Sequence, residues 1–184
     1  MIGIDEVGRG CWAGPLLVVV ARQTTELPHG LDDSKKLSKK RRQGLFYDIQ
    51  LSCDVGEGWV ESGEIDKLGL TNAMKLGVAR ALGVIKALPH ETIIMDGNIN
   101  YCAPEFTKVT CVIKGDSEYP IVSAASIYAK VLRDKKMTEY AGQYPEYSFE
   151  SHVGYGTKTH SDALKKHGIC ELHRKSFKPI REFV

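Results

Sequence analysis

Residues 2–20 read IGIDEVGRGCWAGPLLVVV, and the division of this stretch decides the fold. Ile2 to Ile4 is a short apolar run and Leu16 to Ala21 a nearly continuous, β-branched one, which predicts two strands, the second buried on both faces. The glycine-rich segment between them predicts a turn. An adjacent acid pair, Asp5 and Glu6, stands where the first run gives way to that turn, and Arg9 follows between Gly8 and Gly10. Successive strand residues face opposite sides, so one acid of the pair must point toward the interior side of the sheet. No ordinary turn asks for that.

Outward from this start, Ser38 precedes a Lys/Arg-rich segment carrying Leu45, Phe46 and Ile49, which predicts an N-capped helix, and Val55 to Val60 predicts another strand. Small and apolar residues from about Thr71 to Leu88 predict a long helix ended by Pro89. Thr92 to Met95 predicts a short buried strand that delivers Asp96 to the turn pair Gly97-Asn98. Lys108 to Ile113 alternates as a strand and delivers Lys114, Gly115 and Asp116. A helix follows over about Ser123 to Tyr140, then a loop at Gly154 to Thr157 and a short helix at Asp162 to His167. Strands alternating with helices after an antiparallel start predict an α/β or α+β layer fold with a mixed central sheet.

The chain has 184 residues, 42% hydrophobic and 26% charged, with no repeat or low-complexity linker, so one domain over residues 1–184 is expected. Its apolar runs are too short to span a membrane and no signal peptide precedes them, so a soluble, cytoplasmic protein is expected. Five scattered cysteines without a C-x-x-C pair argue against a disulfide framework and against a zinc site. Net charge is only +2, yet two basic clusters stand out, Lys35 to Arg42 and Lys158 to Arg181, as a footprint for a polyanion.

Three predicted strands run into a carboxylate: Asp5 with Glu6, Asp96, and Asp116. Singly, Asp96 could serve an Asx turn and Asp116 a helix cap. Together, on adjacent strands of one sheet, they would form a cluster whose mutual repulsion calls for a cation, and hard oxygen donors suit Mg²⁺ or Mn²⁺. Two such ions are a known solution for phosphodiester hydrolysis, so acids plus basic clusters read as a nuclease. Glycines beside Arg9 would let backbone groups approach a sugar or phosphate, which the planar guanidinium could brace. A catalytically silent nucleic-acid-binding module would not need all four acids, and a small-molecule phosphohydrolase would not need dispersed basic clusters.

The segments GIDEVGRGCWAGP, DSKKLS, MDGN, KGDSEYPIVSAASIYAKVLRD, GYGTKTH and HRKSF, in this order and across nearly the whole chain, resemble the motif series of ribonuclease HII. The resemblance implies an α/β ribonuclease H-like fold, a core over about residues 1–145 and a C-terminal helical, substrate-contacting region over about 146–184. It implies a metal-dependent endonuclease that cleaves the RNA strand of RNA/DNA hybrids and nicks 5′ of single ribonucleotides in duplex DNA. The products would be a 5′-phosphate and a 3′-hydroxyl, and the role ribonucleotide removal in DNA repair. Carried over by motif, Asp5, Glu6 and Asp96 would be metal ligands and Asp116 the fourth acid, at the second metal position. Gly8, Arg9 and Gly10 would contact the 2′-hydroxyl and phosphates, the group that marks a ribose, and Tyr155 would stack on the sugar of the following deoxynucleotide.

Lys35 and Lys36 are candidate phosphate contacts, and which of them reaches is open. Ser123 and Ser126 read as packing residues, and Lys130 with Asp134 as an i, i+4 pair. A monomer is expected. The family usually has a lysine where this chain has Val153, which removes one expected phosphate contact. Nothing before Asp5 resembles the additional N-terminal domain of ribonuclease HIII, and DEVGRG does not resemble a type 1 ribonuclease H.

Overall fold

The computed structural model describes all residues from Met1 to Val184. Five strands, β1 (Ile2–Val7), β2 (Leu16–Gln23), β3 (Cys53–Val60), β4 (Ile93–Asp96) and β5 (Val109–Val112), form one mixed sheet in the order β3-β2-β1-β4-β5. The first three are antiparallel neighbours, and β1, β4 and β5 run parallel. All three parallel strands therefore end at the same edge. β1 is longer than its apolar run: it continues through Asp5 and Glu6, which pair with Val19 and Val18 of β2. The ladder to β4 stops at Ile4 and Met95, so the next residues on each strand, Asp5 and Asp96, face an open edge.

β2 is buried from Leu16 to Ala21 because its two faces feed two cores. Leu16, Val18 and Val20 pack with Ile2, Ile4 and the helix α3 (Leu70–Val84); Leu17, Val19 and Ala21 pack with α1 (Lys39–Ser52) and α5 (Pro120–Gln143). Gly3 sits where α5 crosses β1, and a Cβ there would overlap the Ile121 carbonyl. The missing side chain lets α5 lie close over the strand, and that places the Ser126 end of the helix beside Asp5.

α1 has the expected cap, with the Ser38 hydroxyl accepting from the Arg41 amide at 3.2 Å. A short helix, α2 (Ser62–Leu68), precedes α3 and has no apolar periodicity long enough to have announced it. α3 ends at Val84 instead of running to Leu88, because Lys86 takes a left-handed conformation (φ +49°) and Pro89 lies beyond the break. Asp116 lies within a single turn of helix, α4 (Gly115–Glu118). A third core joins Ala13 and Met137 to the last elements, α6 (Phe149–His152), α7 (Lys158–His167) and α8 (Lys178–Arg181), with Phe177 and Phe183 packed against it. No helix is long and apolar enough to cross a membrane.

Candidate active site

The carboxyl ends of β1 and β4, the loop after β1, α4 and α5 enclose a cleft of about 480 Å³. Asp5, Glu6, Asp96 and Asp116 all line it, as do Gly8, Arg9, Gly10, Lys35 and Tyr155. Lys36 does not; it pairs with Asp32 at 3.2 Å on the exposed side of the same loop. Of the two lysines the fold therefore turns Lys35 toward the acids.

Asp5 is only 7% exposed and Asp116 8%. Burial pushes the Asp5 carboxyl well above the usual carboxylate range, with Glu6 and Asp96 adding repulsion and a hydrogen bond from Ser126 easing it. Glu6 is raised by burial, an effect opposed by Arg9, whose guanidinium stands 3.5 Å away. Asp116 is raised by burial and then by Asp33 and Asp96, while Lys35 and Lys36 pull it down. Of the four acids only Glu6 has a cation in salt-bridge contact.

Two of the acids are held by backbone amides. Asp5 Oδ1 accepts from the Glu6 amide at 2.7 Å, and Asp96 Oδ1 accepts from the Gly115 amide at 2.8 Å, tying the end of β4 to the turn that carries Asp116. As the chain alone arranges them, no three acidic, histidine or cysteine side chains already form a group that could hold a metal ion. The donor set nevertheless fits a hard divalent ion: four carboxylates at one edge, three of them without a cation in salt-bridge contact, and neither a histidine nor a cysteine lining the cleft.

The loop after β1 is held from behind. Gly8 takes φ +83°, and a Cβ on it would overlap the Arg133 guanidinium. Arg133 and Arg174 are wholly buried. Arg133 donates to the carbonyls of Pro15 and Val153 at 2.8 Å and of Ala13 at 3.2 Å. Arg174 donates to the Arg9 carbonyl at 2.9 Å and twice to the Gly14 carbonyl. With carbonyls drawn inward, the amides of Gly8, Arg9 and Gly10 find no backbone acceptor. They form a row of free donors beside the acids.

Arg174 thus corrects the reading of the C-terminal basic cluster, since its charge is spent on backbone carbonyls inside the protein. Arg42, in the other cluster, is likewise drawn in, donating to the carbonyls of Ser34 and Leu37. The lysines remain outside. Ser126, read as a packing residue, lines the cleft together with Ser34 and Lys130; its hydroxyl lies 3.0 Å from that of Ser34. Ser123 does pack, donating to the Asp116 carbonyl at 2.7 Å, and Lys130 makes the expected pair with Asp134 at 2.8 Å. The i, i+4 spacing of Ser126 and Lys130 on α5 was the available signal that both share the face over Asp5.

A family model described as Ribonuclease HII matches residues 2–180. A ribonuclease HII of Endomicrobium trichonymphae is 43% identical over 185 residues, 99% of this chain and 87% of that protein. Among solved structures, the ribonuclease HII of a complex with PCNA from Archaeoglobus fulgidus aligns with a TM-score of 0.80 at 28% identity, covering 96% of this chain and 94% of its own. Bst-RNase HIII, solved in complex with Mn²⁺, aligns at 0.70 and 18% identity, covering 98% of this chain and 68% of its own, a likeness of fold.

Proposed function

The chain belongs to the ribonuclease HII family and is a ribonuclease H hydrolase, and from that premise we propose that it cuts the RNA strand of RNA/DNA hybrids and nicks duplex DNA on the 5′ side of a single ribonucleotide. The observation that carries this reading is the juxtaposition of four acids, only one of them in salt-bridge contact with a cation, with the free amides of residues 8–10 in one cleft. Asp5, Glu6, Asp96 and Asp116 would hold Mg²⁺ or Mn²⁺. Such ions supply an activated water and stabilise the leaving oxygen.

The protein does the rest. The amides of Gly8, Arg9 and Gly10 donate to the 2′-hydroxyl and the adjoining phosphate, which a close-lying backbone can reach. Arg9, with its Nη2 3.2 Å from the Tyr101 hydroxyl, braces the same phosphate. Lys35 takes a flanking phosphate. Tyr155, 41% exposed on the opposite wall, stacks on the sugar that follows and so distinguishes a lone ribonucleotide from a run of them. Residues 146–184 form the layer that carries this wall, and the protein acts as a monomer in ribonucleotide removal.

The test is a labelled DNA duplex carrying one ribonucleotide, incubated with Mg²⁺ or Mn²⁺ beside an all-DNA duplex and a chelator control. The expected result is one nick 5′ of the ribonucleotide, leaving a 3′-hydroxyl. Binding without cleavage under either ion would overturn the catalytic reading.

A further inference from the structure

Behind the turn that carries Tyr155, three imidazoles lie packed together and buried: His152, His160 and His173. The rings of His152 and His160 stack with centroids 4.5 Å apart, and Nε2 of His160 lies 3.0 Å from Nε2 of His173. The proposed cleavage uses none of them. Their proton positions follow from neighbours whose roles are fixed. The Tyr155 carbonyl, 2.9 Å from His160 Nδ1, can only accept, so His160 carries its proton on Nδ1. Its Nε2 is then the acceptor of the pair, and His173 carries the proton on Nε2.

That assignment leaves His173 Nδ1 bare, and the Cys170 amide, which can only donate, meets it at 2.9 Å. The two ends of the chain of bonds agree. The Cys170 thiol, 3.2 Å from the same nitrogen, can donate to it as well, and the Cys170 carbonyl at 3.3 Å is the longest of the three contacts. For His152, the Gly154 amide donates to Nδ1 at 3.2 Å, so Nε2 donates to the Tyr147 carbonyl at 2.8 Å. An added proton on the His160–His173 pair would set two N–H groups against each other, and burial first of all lowers both groups to about 4.

We propose that His160 and His173 are positioning residues for Tyr155: a neutral relay of fixed direction, from the Cys170 amide to the Tyr155 carbonyl, that holds the Tyr155 ring at the cleft wall and thereby sets selectivity for an isolated ribonucleotide. The proposal rests on the reading of Tyr155 as the sugar-stacking residue. Tyr155 is held on every backbone side, its amide donating to the His152 carbonyl at 2.9 Å and its carbonyl also accepting from Thr157 at 3.0 Å. Trp12 packs on His160 with centroids 5.5 Å apart, and a Cβ on Gly156 would overlap its indole. A displaced His160 ring would therefore loosen both the carbonyl and the packing of the turn.

The first arm of the test uses the intact wild-type protein, labelled with ¹⁵N, and long-range proton–nitrogen correlation of its imidazoles. Neutral His160 with its proton on Nδ1, and neutral His173 with its proton on Nε2, are expected from about pH 5.5 to 8. A His160 protonated on Nε2, alone or with Nδ1, overturns the relay without any variant. The second arm compares cleavage of a single-ribonucleotide duplex with that of a long hybrid. His160→Leu should lose about tenfold on the former, the size of one hydrogen bond, and less than about threefold on the latter. His160→Asn keeps an N–H near the Nδ1 position and should restore most of the loss.

In a Tyr155→Ala background, His160→Leu should cost nothing further. Equal losses on both substrates, or a full further loss in that background, would make His160 a general scaffold residue. An unchanged rate in Tyr155→Ala itself, with the tautomers as expected, would instead remove Tyr155 from recognition and the positioning role with it.

Discussion

On one side of the 8–15 loop, Asp5 and its neighbours are buried or half-buried acids of which only Glu6 has a close cation; on the other, Arg133 and Arg174 are buried cations with no acid in salt-bridge contact. The difference lies in the partners. Both guanidinium groups donate to backbone carbonyls from all three nitrogens, and no buried side-chain nitrogen or oxygen lacks a hydrogen bond. Asp5 and Asp96 accept backbone hydrogen bonds, but the acids keep their mutual repulsion, and three of the four are pushed upward in pKa. Satisfied burial builds scaffold. Unrelieved charge marks the place where a ligand is expected to complete the site.

The sharpest way to break this comparison is Asp5→Asn. Cleavage should fall by about a thousandfold or more while duplex affinity stays within a few-fold, because a metal ligand goes and the phosphate contacts stay. Without divalent ions the same variant should melt no lower than wild type, since a repelled charge has been removed. Retained metal-dependent cleavage, or a large loss of stability, would place Asp5 with the scaffold instead. The counterpart is Arg174→Met, which strips hydrogen bonds from the Arg9 and Gly14 carbonyls; urea unfolding should show a loss of about 3 kcal/mol. An unchanged midpoint would refute the bracing role.

Acidification should act on the two regions with opposite sign. The folded-state values of Asp5, Glu6 and Asp116 are raised, so their contribution in the metal-free protein is fullest below the ordinary carboxylate range and is lost as pH rises through the raised values. His160 and His173 are lowered from 6.5 to about 4, so their contribution is present above pH 6.5 and is lost as pH falls toward 4. Removing the histidine share with His160→Asn should flatten the acid limb of a stability–pH curve by about 1 to 2 kcal/mol, while Asp5→Asn should flatten the neutral limb. A curve moved in the same direction by both variants would contradict the contrast.

The smallest effect separates two adjacent lysines. Lys35→Ala should weaken duplex binding a few-fold and reduce the salt slope by about one, while Lys36→Ala, which loses only an exposed pair with Asp32, should change neither measurably. Salt-dependent anisotropy titrations decide between them, and a larger effect of Lys36 would mean that the loop turns over when substrate binds.

The sequence was most informative where chemistry is local. Alternation and β-branching located β1, β2, β4 and β5, Ser38 marked the start of α1, and a run of motifs with acids at fixed places identified the family. It misled where a residue's role depends on what folds against it. Arg174 reads as one more charge in a basic tail, yet the loop after β1 leaves carbonyls that only a buried donor can satisfy. Ser126 reads as a small packing residue until α5 crosses Gly3 and brings it over Asp5. The histidines of the last two motifs carry no periodic signal, and their relay exists only because α7 and the chain before α8 meet behind Tyr155.

By itself, then, the sequence determined the strands, the acids at their ends and the family, because strand period, turn chemistry and motif spacing are properties of neighbouring residues. Only the tertiary structure decided that β1, β4 and β5 lie side by side and parallel, that Lys35 faces the acids, and that two arginines belong to the interior. Those facts depend on pairings between residues far apart in the chain, where the partner left unsatisfied by one element is supplied by another.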